Sequence, residues 1–453
     1  MIVHILRHFF DDKLRQVLNQ ATWMYAASAI VLGLQFAETL LIARWLSLSD
    51  FGLFIVLVAY PELVQQVLDF RTRESMSKFL AEFVAQGDST RAIALIKLLW
   101  IADVAVSLLA YAIVFLTADF IARDLLHRPE VASLIQLYAL GLLFGSLDSA
   151  SGSVMRVFDR YDLSFVGSLA VSVLRFALVL WVLVSGGGLL ELVQARVVGE
   201  LGWAIILSMI ALYLIKQKLW SARTAPIRSL GPEYRRQIWG FLVQTNLAGT
   251  LKLVVSRVDV LIIALFWPVE VVGIYKMAAK LGNFLTTLSD PLYATMLPNF
   301  ARMHAQNEPG DIRRLGRRLT FLFAWLMLPL VTVMLFFPET IVTFVAGPPF
   351  AAATWPFVCI FIGSLINTLF FWLRPAILGI GRAGALLKIG AVASTVQLLL
   401  LFMLTPPLGA LGAALTQTVY YSIYIGAELS FLNSALTTLP RVTGSPDEGI
   451  GAG

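Results

Sequence analysis

Residues 246–267, NLAGTLKLVVSRVDVLIIALFW, make an apolar stretch as long as one membrane-spanning helix, since about 20 mostly apolar residues cross the hydrocarbon core of a bilayer. Three ionisable residues, Lys252, Arg257 and Asp259, nevertheless interrupt it. An ionised side chain at the bilayer centre costs at least about 2.5 kcal/mol on insertion scales, so such residues face a bundle interior or a water-filled cavity. The stretch therefore predicts a membrane span with a polar, functional face.

The same apolar character extends along the whole chain. Of its 453 residues, 58% are hydrophobic and 14% are charged, against roughly 25% charged in a soluble domain, and the mean hydropathy is +0.81. No hydrophilic block of domain size interrupts it. We therefore predict an all-α polytopic membrane protein with twelve transmembrane helices, over residues 22–43, 51–70, 93–117, 131–155, 163–184, 189–215, 238–267, 270–300, 319–338, 351–373, 384–405 and 408–432.

Lysine and arginine are distributed unequally between the two sides of these spans. Of the 34 basic residues, 25 fall in the N-terminus, the tail, the loops after even-numbered spans or the first five residues of the span that follows such a loop. Three, Arg44, Arg123 and Arg128, fall in the opposite loops. The positive-inside rule then places both termini in the cytoplasm. Topology accounts for the basic loops, so they do not indicate a nucleic-acid partner. The predicted domains are an amphipathic cytoplasmic segment 1–21, a six-helix bundle 22–216, a basic linker 217–237, a second six-helix bundle 238–433 and a polar cytoplasmic tail 434–453.

An internal repeat relates the two predicted bundles. Gly52 matches Gly273 and Phe54 matches Tyr275 at an offset of 221 residues, and the tripeptide GSL at 145–147 recurs at 363–365. Residues 81–92 also resemble residues 301–314 at nearly the same offset. An even number of spans separates the copies, which predicts a parallel repeat of the kind that builds alternating-access transporters, with the substrate site between the halves. Chance similarity among apolar helices is the alternative.

Six basic residues lie more than five residues inside predicted spans. Lys276, Lys280 and Asn283 share one face of span eight at 100° per residue, and Glu62 lies on a similar polar face of span two. Arg196 and Glu200 have the i, i+4 spacing of a helical ion pair, which we interpret as structural. The six basic residues are Arg175, Arg196, Lys252, Arg257, Lys276 and Lys280.

These charges allow two interpretations. In one, they are ion pairs that merely offset the cost of insertion, because acidic residues in the spans outnumber the bases. In the other, which we favour for Lys252, Arg257 and Lys280, they line a water-filled cavity. Several deep bases favour an anionic ligand, and lysine and arginine bind phosphate well. Their depth alone makes Glu62 and Asp259 candidates for carrying a coupled ion.

Patterns typical of catalysis are absent from the sequence. It contains no phosphate-binding P-loop and no HExxH motif, and the single cysteine, Cys359, excludes an internal disulfide and a cysteine metal cluster. The four histidines show no ligand spacing. We therefore expect no metal and no cofactor, and we expect that the protein is not an enzyme.

Three stretches together resemble a known family. Residues 257–315 contain an aspartate in span seven, a short turn, a G-x-Y opening of span eight and a helix that ends at Leu-Pro before a basic loop. Residues 43–60 and 406–421 agree with the same pattern. The chain resembles the Wzx-like polysaccharide flippases of the multidrug/oligosaccharidyl-lipid/polysaccharide exporter superfamily. The similarity extends over almost the whole chain, although its motifs are structural and do not specify a substrate.

The resemblance implies a MATE-like fold, with two pseudo-symmetric six-helix bundles around a V-shaped central cavity in the bacterial inner membrane. It also implies a flippase for an undecaprenyl-pyrophosphate-linked oligosaccharide of O-antigen, capsule or exopolysaccharide synthesis. A proton or sodium ion is the expected coupling ion, and a polysaccharide polymerase or chain-length regulator is an expected partner. The expected substrate-binding residues are Arg175, Lys252, Arg257, Lys276, Lys280 and Asn283, and the expected ion-coupling residues are Glu62 and Asp259.

Other functions stay open at this stage. A lipid II flippase belongs to the same superfamily, but its members usually have fourteen spans. An ion-coupled multidrug exporter would use acidic and aromatic residues against a cationic drug. An ion channel is disfavoured because no repeated filter sequence is present. A membrane glycosyltransferase is disfavoured because the outer loops are too short for a catalytic domain.

Overall fold

The computed structural model describes the backbone of residues 12–69, 72–306 and 309–438. Side chains at 12–28, 146–150, 161, 221, 243–257, 287–295, 298 and 309 lie outside the description as well. Within these ranges every element is helical. The α-helices are α1 (Asp12–Trp45), α2 (Leu48–Leu68), α3 (Thr72–Ala85), α4 (Ser89–Phe120), α5 (Ala132–Val157), α6 (Tyr161–Val184), α7 (Leu189–Lys218), α8 (Gly231–Phe266), α9 (Val269–Gly282), α10 (Phe284–Ala305), α11 (Pro309–Phe336), α12 (Pro338–Ala346), α13 (Thr354–Leu369), α14 (Leu373–Gly379), α15 (Ala383–Leu408) and α16 (Ala410–Thr438).

Each predicted membrane window falls on helical structure. Among the described residues, seven helical segments are long and apolar enough to cross a membrane, and they coincide with seven of the twelve windows. The other five windows lie on α1, α5, α8, the α9–α10 pair and α16. Helices are the expected solution because every backbone polar group inside a bilayer needs an internal partner.

Span eight differs from its prediction as one continuous helix over 270–300. Helix α9 ends at Gly282 and α10 begins at Phe284. The side-chain oxygen of Asn283 accepts hydrogen bonds from Ser364 Oγ at 2.8 Å and Gln417 Nε2 at 2.9 Å. Gly282 packs so closely that an added Cβ would lie 2.6 Å from Ile360 Cγ2. The break is therefore specified by contacts with α13 and α16, which a hydropathy window does not register.

The chain forms two compact units, residues 1–273 and 274–453. In the first unit, α3, the start of α4 and the end of α7 pack with the segment 219–242 around a buried core that includes Met76, Phe83 and Leu230. In the second unit, α10, α11, α14 and α16 surround a core that includes Phe300, Trp372 and Leu432. Helix α8 belongs to the first unit, since it packs against α2 and α3. The bundle limits inferred from the repeat, with a linker at 217–237, remain a prediction.

The glycines of the repeated GSL motif both lie at close helix contacts. A Cβ on Gly145 would lie 2.8 Å from Gln65 Nε2 in the first unit, and a Cβ on Gly363 would lie 2.9 Å from Thr418 Cα in the second. Small residues let helix backbones approach closely in membrane proteins. The two copies of the motif therefore serve the same packing purpose, each within its own unit.

Candidate functional site

A buried ionic network joins four helices of the first unit. Arg196 on α7 is 3.2 Å from Glu38 on α1 and 3.8 Å from Glu200 one turn along its own helix. Arg175 on α6 lies 3.2 Å from the same Glu200 carboxylate, and Tyr138 on α5 lies beside Arg196. Glu38 and Tyr138 are only 7% and 3% exposed. The carboxylate of Glu200 therefore lies between two guanidinium groups.

The packing of α6 on α7 depends on a glycine beside the network. A Cβ on Gly199 would lie 2.7 Å from Arg175 Cγ, so the arginine side chain passes directly over this position. On α5, a Cβ added at Gly141 would lie 3.6 Å from the Cγ of Glu200. These small residues make the room in which long charged side chains reach one another inside a helical bundle.

A polar cavity of about 340 Å³ lies next to this network. Its walls come from α2, α3, α4, α5 and α7, and Glu200 belongs both to the network and to the cavity wall. Thr72 Oγ1 donates to Asp103 Oδ1 at 2.6 Å. The polar or small residues of the wall are Glu62, Gln65, Gln66, Asp69, Arg73, Asp103, Ser107, Gly145 and Glu200.

Carboxylates outnumber guanidinium groups in this interior. The network and the cavity together hold Glu38, Glu62, Asp69, Asp103 and Glu200 against Arg73, Arg175 and Arg196. Among these described residues, the arginines of the network are engaged by carboxylates. A carboxylate left in surplus in a confined polar space is suited to take up a proton or a cation. This part of the molecule is thus ionic and mixed in charge, rather than uniformly basic.

The predicted site residues are distributed between the two units. Arg175 and Glu62 both belong to the first unit, where Glu200 pairs with Arg175 and shares the cavity wall with Glu62. Asp259 is partly buried on α8, and its Oδ1 accepts from the Val260 backbone N–H at 2.8 Å. The side chains of Lys252 and Arg257 lie outside the described residues.

The remaining predicted residues belong to the second unit. Lys276 and Lys280 are partly buried on α9. Asn283 forms the α9–α10 junction and uses its side-chain oxygen to tie α13 and α16 to it. Its observed contacts are therefore structural, and its role toward a substrate stays a prediction.

Most residues of the network and the cavity wall were not among the predicted site residues, and Glu38, Asp103 and Tyr138 are examples. Glu38 and Asp103 carry a signal, because each is an acid inside a predicted span and such acids are expensive. Tyr138 carries no comparable signal. Its hydroxyl becomes a network member only because α5 packs beside α7.

A second contact of the first unit lies at the opposite ends of its helices, near the short connection between α8 and α9. Arg128 Nη2 donates to Ser49 Oγ at 2.7 Å and lies 3.9 Å from Glu270 Oε1. A Cβ on Gly52 would lie 1.8 Å from the Val269 carbonyl oxygen, and a Cβ on Gly273 would lie 3.3 Å from Gly52 Cα. The two glycines that match in the predicted repeat therefore touch each other.

Comparison with known proteins identifies the family. Residues 41–354 match the family described as polysaccharide biosynthesis protein. The chain belongs to the polysaccharide biosynthesis protein family. A curated relative of this polysaccharide biosynthesis protein is the probable low-salt glycan biosynthesis flippase Agl15 of Haloferax volcanii, which is 21% identical over 416 residues, or 91% of this chain and 82% of the relative.

Solved structures share the fold of this polysaccharide biosynthesis protein. An inward-facing multidrug resistance MATE family transporter of the MOP superfamily matches with a TM-score of 0.70 and 12% identity, covering 91% of this chain and 96% of the other. The lipid II flippase MurJ, in an inward closed conformation, matches with a TM-score of 0.70 and 12% identity, covering 91% and 87%. The predicted all-α, MATE-like fold is confirmed. Both of these solved structures are membrane transport proteins, a multidrug transporter and a lipid flippase.

Proposed function

We propose that the protein is a flippase that moves an undecaprenyl-pyrophosphate-linked oligosaccharide from the cytoplasmic to the periplasmic leaflet of a bacterial inner membrane. The oligosaccharide serves O-antigen, capsule or exopolysaccharide synthesis, where a polysaccharide polymerase or a chain-length regulator is the partner. Family membership supports the pathway, and the name of the Haloferax relative supports the step. The distribution of basic residues supports cytoplasmic termini.

The observation that carries the proposal is the charged interior of the first unit, where Glu38, Arg175, Arg196 and Glu200 lie beside a polar cavity. A membrane bundle gains nothing from such groups unless they serve its function or its specificity, since apolar packing would cost less. A hydrophilic glycan and its pyrophosphate need a polar path across the bilayer, while the lipid chain stays in the hydrocarbon. In this proposal the path includes Arg175, Lys252, Arg257, Lys276, Lys280 and Asn283.

Removal of the deep bases of α8 is expected to slow transport. In vesicles that contain the full-length protein and a fluorescent lipid-linked oligosaccharide, the double variant Lys252→Ala/Arg257→Ala should flip at least tenfold more slowly than the unchanged protein. The physical reason is the loss of two charge-assisted contacts to the pyrophosphate, each worth roughly 1.5–3 kcal/mol when desolvated. The measurement is the rate at which label becomes accessible to a membrane-impermeant quencher.

The matched control removes one lysine and one arginine from exposed positions, as Lys218→Ala/Arg228→Ala, and should flip at the unchanged rate. Equal rates in the two double variants, at equal protein abundance, would exclude the proposed role of the α8 bases. The same vesicles loaded with lipid II test the neighbouring substrate class, and faster flipping of lipid II than of the oligosaccharide would contradict the polysaccharide assignment.

Coupling to an ion is proposed at Glu62 or Asp259, supported for Glu62 by its place in the acid-rich cavity. An imposed proton or sodium gradient should accelerate flipping by the unchanged protein. Glu62→Gln or Asp259→Asn should lose that acceleration, because an amide cannot take up the ion, and should keep the rate measured without a gradient. The exposed loop residue Glu130 provides the control variant Glu130→Gln. A gradient response that survives both neutralising substitutions refutes this coupling.

The surplus of carboxylates in the first unit favours one second candidate, an ion-coupled exporter of cationic compounds. Carboxylates and aromatic rings are the groups that such a site needs. The two functions differ in a direct assay. Energised vesicles that accumulate ethidium while leaving the lipid-linked oligosaccharide in place would favour the exporter.

A further inference from the structure

Four arginines line a groove in the second unit, at the start of α11. They lie within two turns of one another and share the groove with apolar side chains of α11, the α13–α14 connection and α16. The volume of the groove is about 1100 Å³, against about 340 Å³ for the polar cavity of the first unit. Its arginines are Arg313, Arg314, Arg317 and Arg318, and its apolar lining includes Phe321, Phe370, Trp372 and Leu429.

Specific contacts hold the walls of the groove in place. Trp372 Nε1 donates to Thr320 Oγ1 at 2.8 Å, and the threonine hydroxyl donates to the Leu369 carbonyl oxygen at 3.1 Å. Gly316 allows α11 to lie against the indole, since a Cβ there would be 2.4 Å from a ring carbon. Arg313 Nη2 donates to the Asn433 carbonyl oxygen at 2.8 Å and so connects α11 with α16. Contacts among α11, the α13–α14 connection and α16 therefore fix the shape of the groove.

The arginines retain unused hydrogen-bonding capacity. Arg317 and Arg318 are exposed, and among the described residues neither has a carboxylate within 4 Å. Arg314 lies 3.4 Å from Asp311, which is the acidic partner in this cluster. The Nε of Arg313 is buried without a hydrogen-bond partner among the described residues. The cluster thus carries a local excess of positive charge, and Arg313 Nε is a buried donor without a partner among the described residues.

Below the arginines, α11 exposes a continuous apolar face. Leu322, Trp325 and Leu326 are 59%, 62% and 64% exposed. Within residues 321–336, Phe323 and Met327 are the buried large side chains. In a membrane this face contacts acyl chains, and the basic end lies on the side that the positive-inside rule assigns to the cytoplasm. The arginines therefore lie at head-group depth above a surface for lipid chains.

The corresponding part of the first unit differs in one respect. By the predicted repeat, the start of α4 corresponds to the start of α11. There Lys97 Nζ donates to the carbonyl oxygens of Arg223 and Ala225 at 2.9 and 2.8 Å, and Arg91 lies over the ring of Tyr234. The segment that follows α7 and the start of α8 therefore cover the basic residues at the start of α4. In the second unit, the equivalent turn lines an open groove.

We propose that this groove binds the phosphate head group of an anionic lipid. The guanidinium groups of Arg313, Arg317 and Arg318 donate to the phosphate oxygens, since planar arginine donors match phosphate geometry. One acyl chain lies along Phe321 and the exposed face of α11. The site goes beyond the proposed transport function, because it needs neither an oligosaccharide nor movement of the lipid across the membrane.

The test uses the full-length protein in nanodiscs of phosphatidylcholine that contain about 10% phosphatidylglycerol, an anionic lipid that serves as the probe. Native mass spectrometry counts the phosphatidylglycerol molecules that the released protein retains. The double variant Arg317→Gln/Arg318→Gln should bind this lipid roughly thirtyfold more weakly. The control Arg228→Gln/Arg236→Gln removes the same charge from exposed positions in the first unit and should retain the lipid.

Three outcomes overturn the proposal. Equal lipid retention in the two double variants, at equal melting temperature, shows that the groove is not the binding site. Displacement of the lipid by millimolar inorganic phosphate at an affinity equal to that of the lipid shows that the site takes the free anion. Lipid retention that appears only in Asp447→Asn/Glu448→Gln shows that the polar tail of the chain, through these two carboxylates, and not a lipid, is the occupant.

Discussion

Gly52→Ala is expected to leave little folded protein. A methyl group at this position would lie 1.8 Å from the Val269 carbonyl oxygen and 2.6 Å from its carbonyl carbon, and neither is the end of a flexible side chain. The helices would have to separate, so we expect a loss of about 3 kcal/mol in the free energy of unfolding, at the upper end of overpacking effects. The measurement is thermal unfolding in detergent together with abundance in the membrane.

Substitutions at two further glycines test whether the loss of stability depends on how close the added methyl group comes to its neighbours. Gly273→Ala should have a smaller effect, since its added Cβ would meet the Leu48 carbonyl oxygen at 3.2 Å and the Gly52 backbone at 3.3 Å. Gly33→Ala on α1 is the control, because nothing lies within 4 Å of its added Cβ. If Gly52→Ala had the same melting temperature as the Gly33→Ala control, α2 would not pack at this distance from the α8–α9 connection.

Arg196→Met is expected to destabilise the first unit by about 3–5 kcal/mol, the usual result of removing one partner of a buried ion pair. Glu38 is the reason, because it is 7% exposed and loses the guanidinium group at 3.2 Å. Glu200 is affected less, since Arg175 stays 3.2 Å away. Unfolding in a denaturing detergent titration measures the loss.

The double variant Glu38→Gln/Arg196→Met should recover most of that stability, because it removes the stranded charge. A double-mutant cycle then isolates the coupling between the two residues. The exposed pair of Arg160 and Asp162, at 2.8 Å, provides the contrast, and Arg160→Met should change stability little despite the shorter distance. A cycle in which the Glu38 and Arg196 effects simply add would contradict a direct ion pair in the folded protein.

The prediction from hydropathy succeeded for the helices because the bilayer imposes one strong local rule. Each long apolar window, such as 163–184 or 384–405, has to be helical to satisfy its own backbone, and both are helices here. The same rule does not report where a helix breaks. At Asn283 the break follows from side chains that are 81 and 134 residues away along the chain.

The sequence predicted which charged residues lie inside the helical bundle, but it did not predict which of them contact one another. Arg196 and Glu200 are recognisable from their spacing, and they lie 3.8 Å apart. The shorter contact of Arg196 is nevertheless with Glu38, 158 residues away. Arg175 was expected to face a substrate, and the structure brings it to Glu200. Local spacing therefore identified the weaker of the two pairs formed by Arg196.

The sequence by itself determined that this chain is a bundle of membrane helices, because apolar length and the distribution of lysine and arginine act locally on every span. The sequence also identified the acidic and basic residues whose exposure to lipid would cost too much free energy. Only the tertiary structure decided which of these charges meet, where a helix breaks and which basic turn is left open. Those outcomes depend on close helix contacts, at glycines such as Gly52, Gly199 and Gly316, whose partners lie far away in the chain or on another helix.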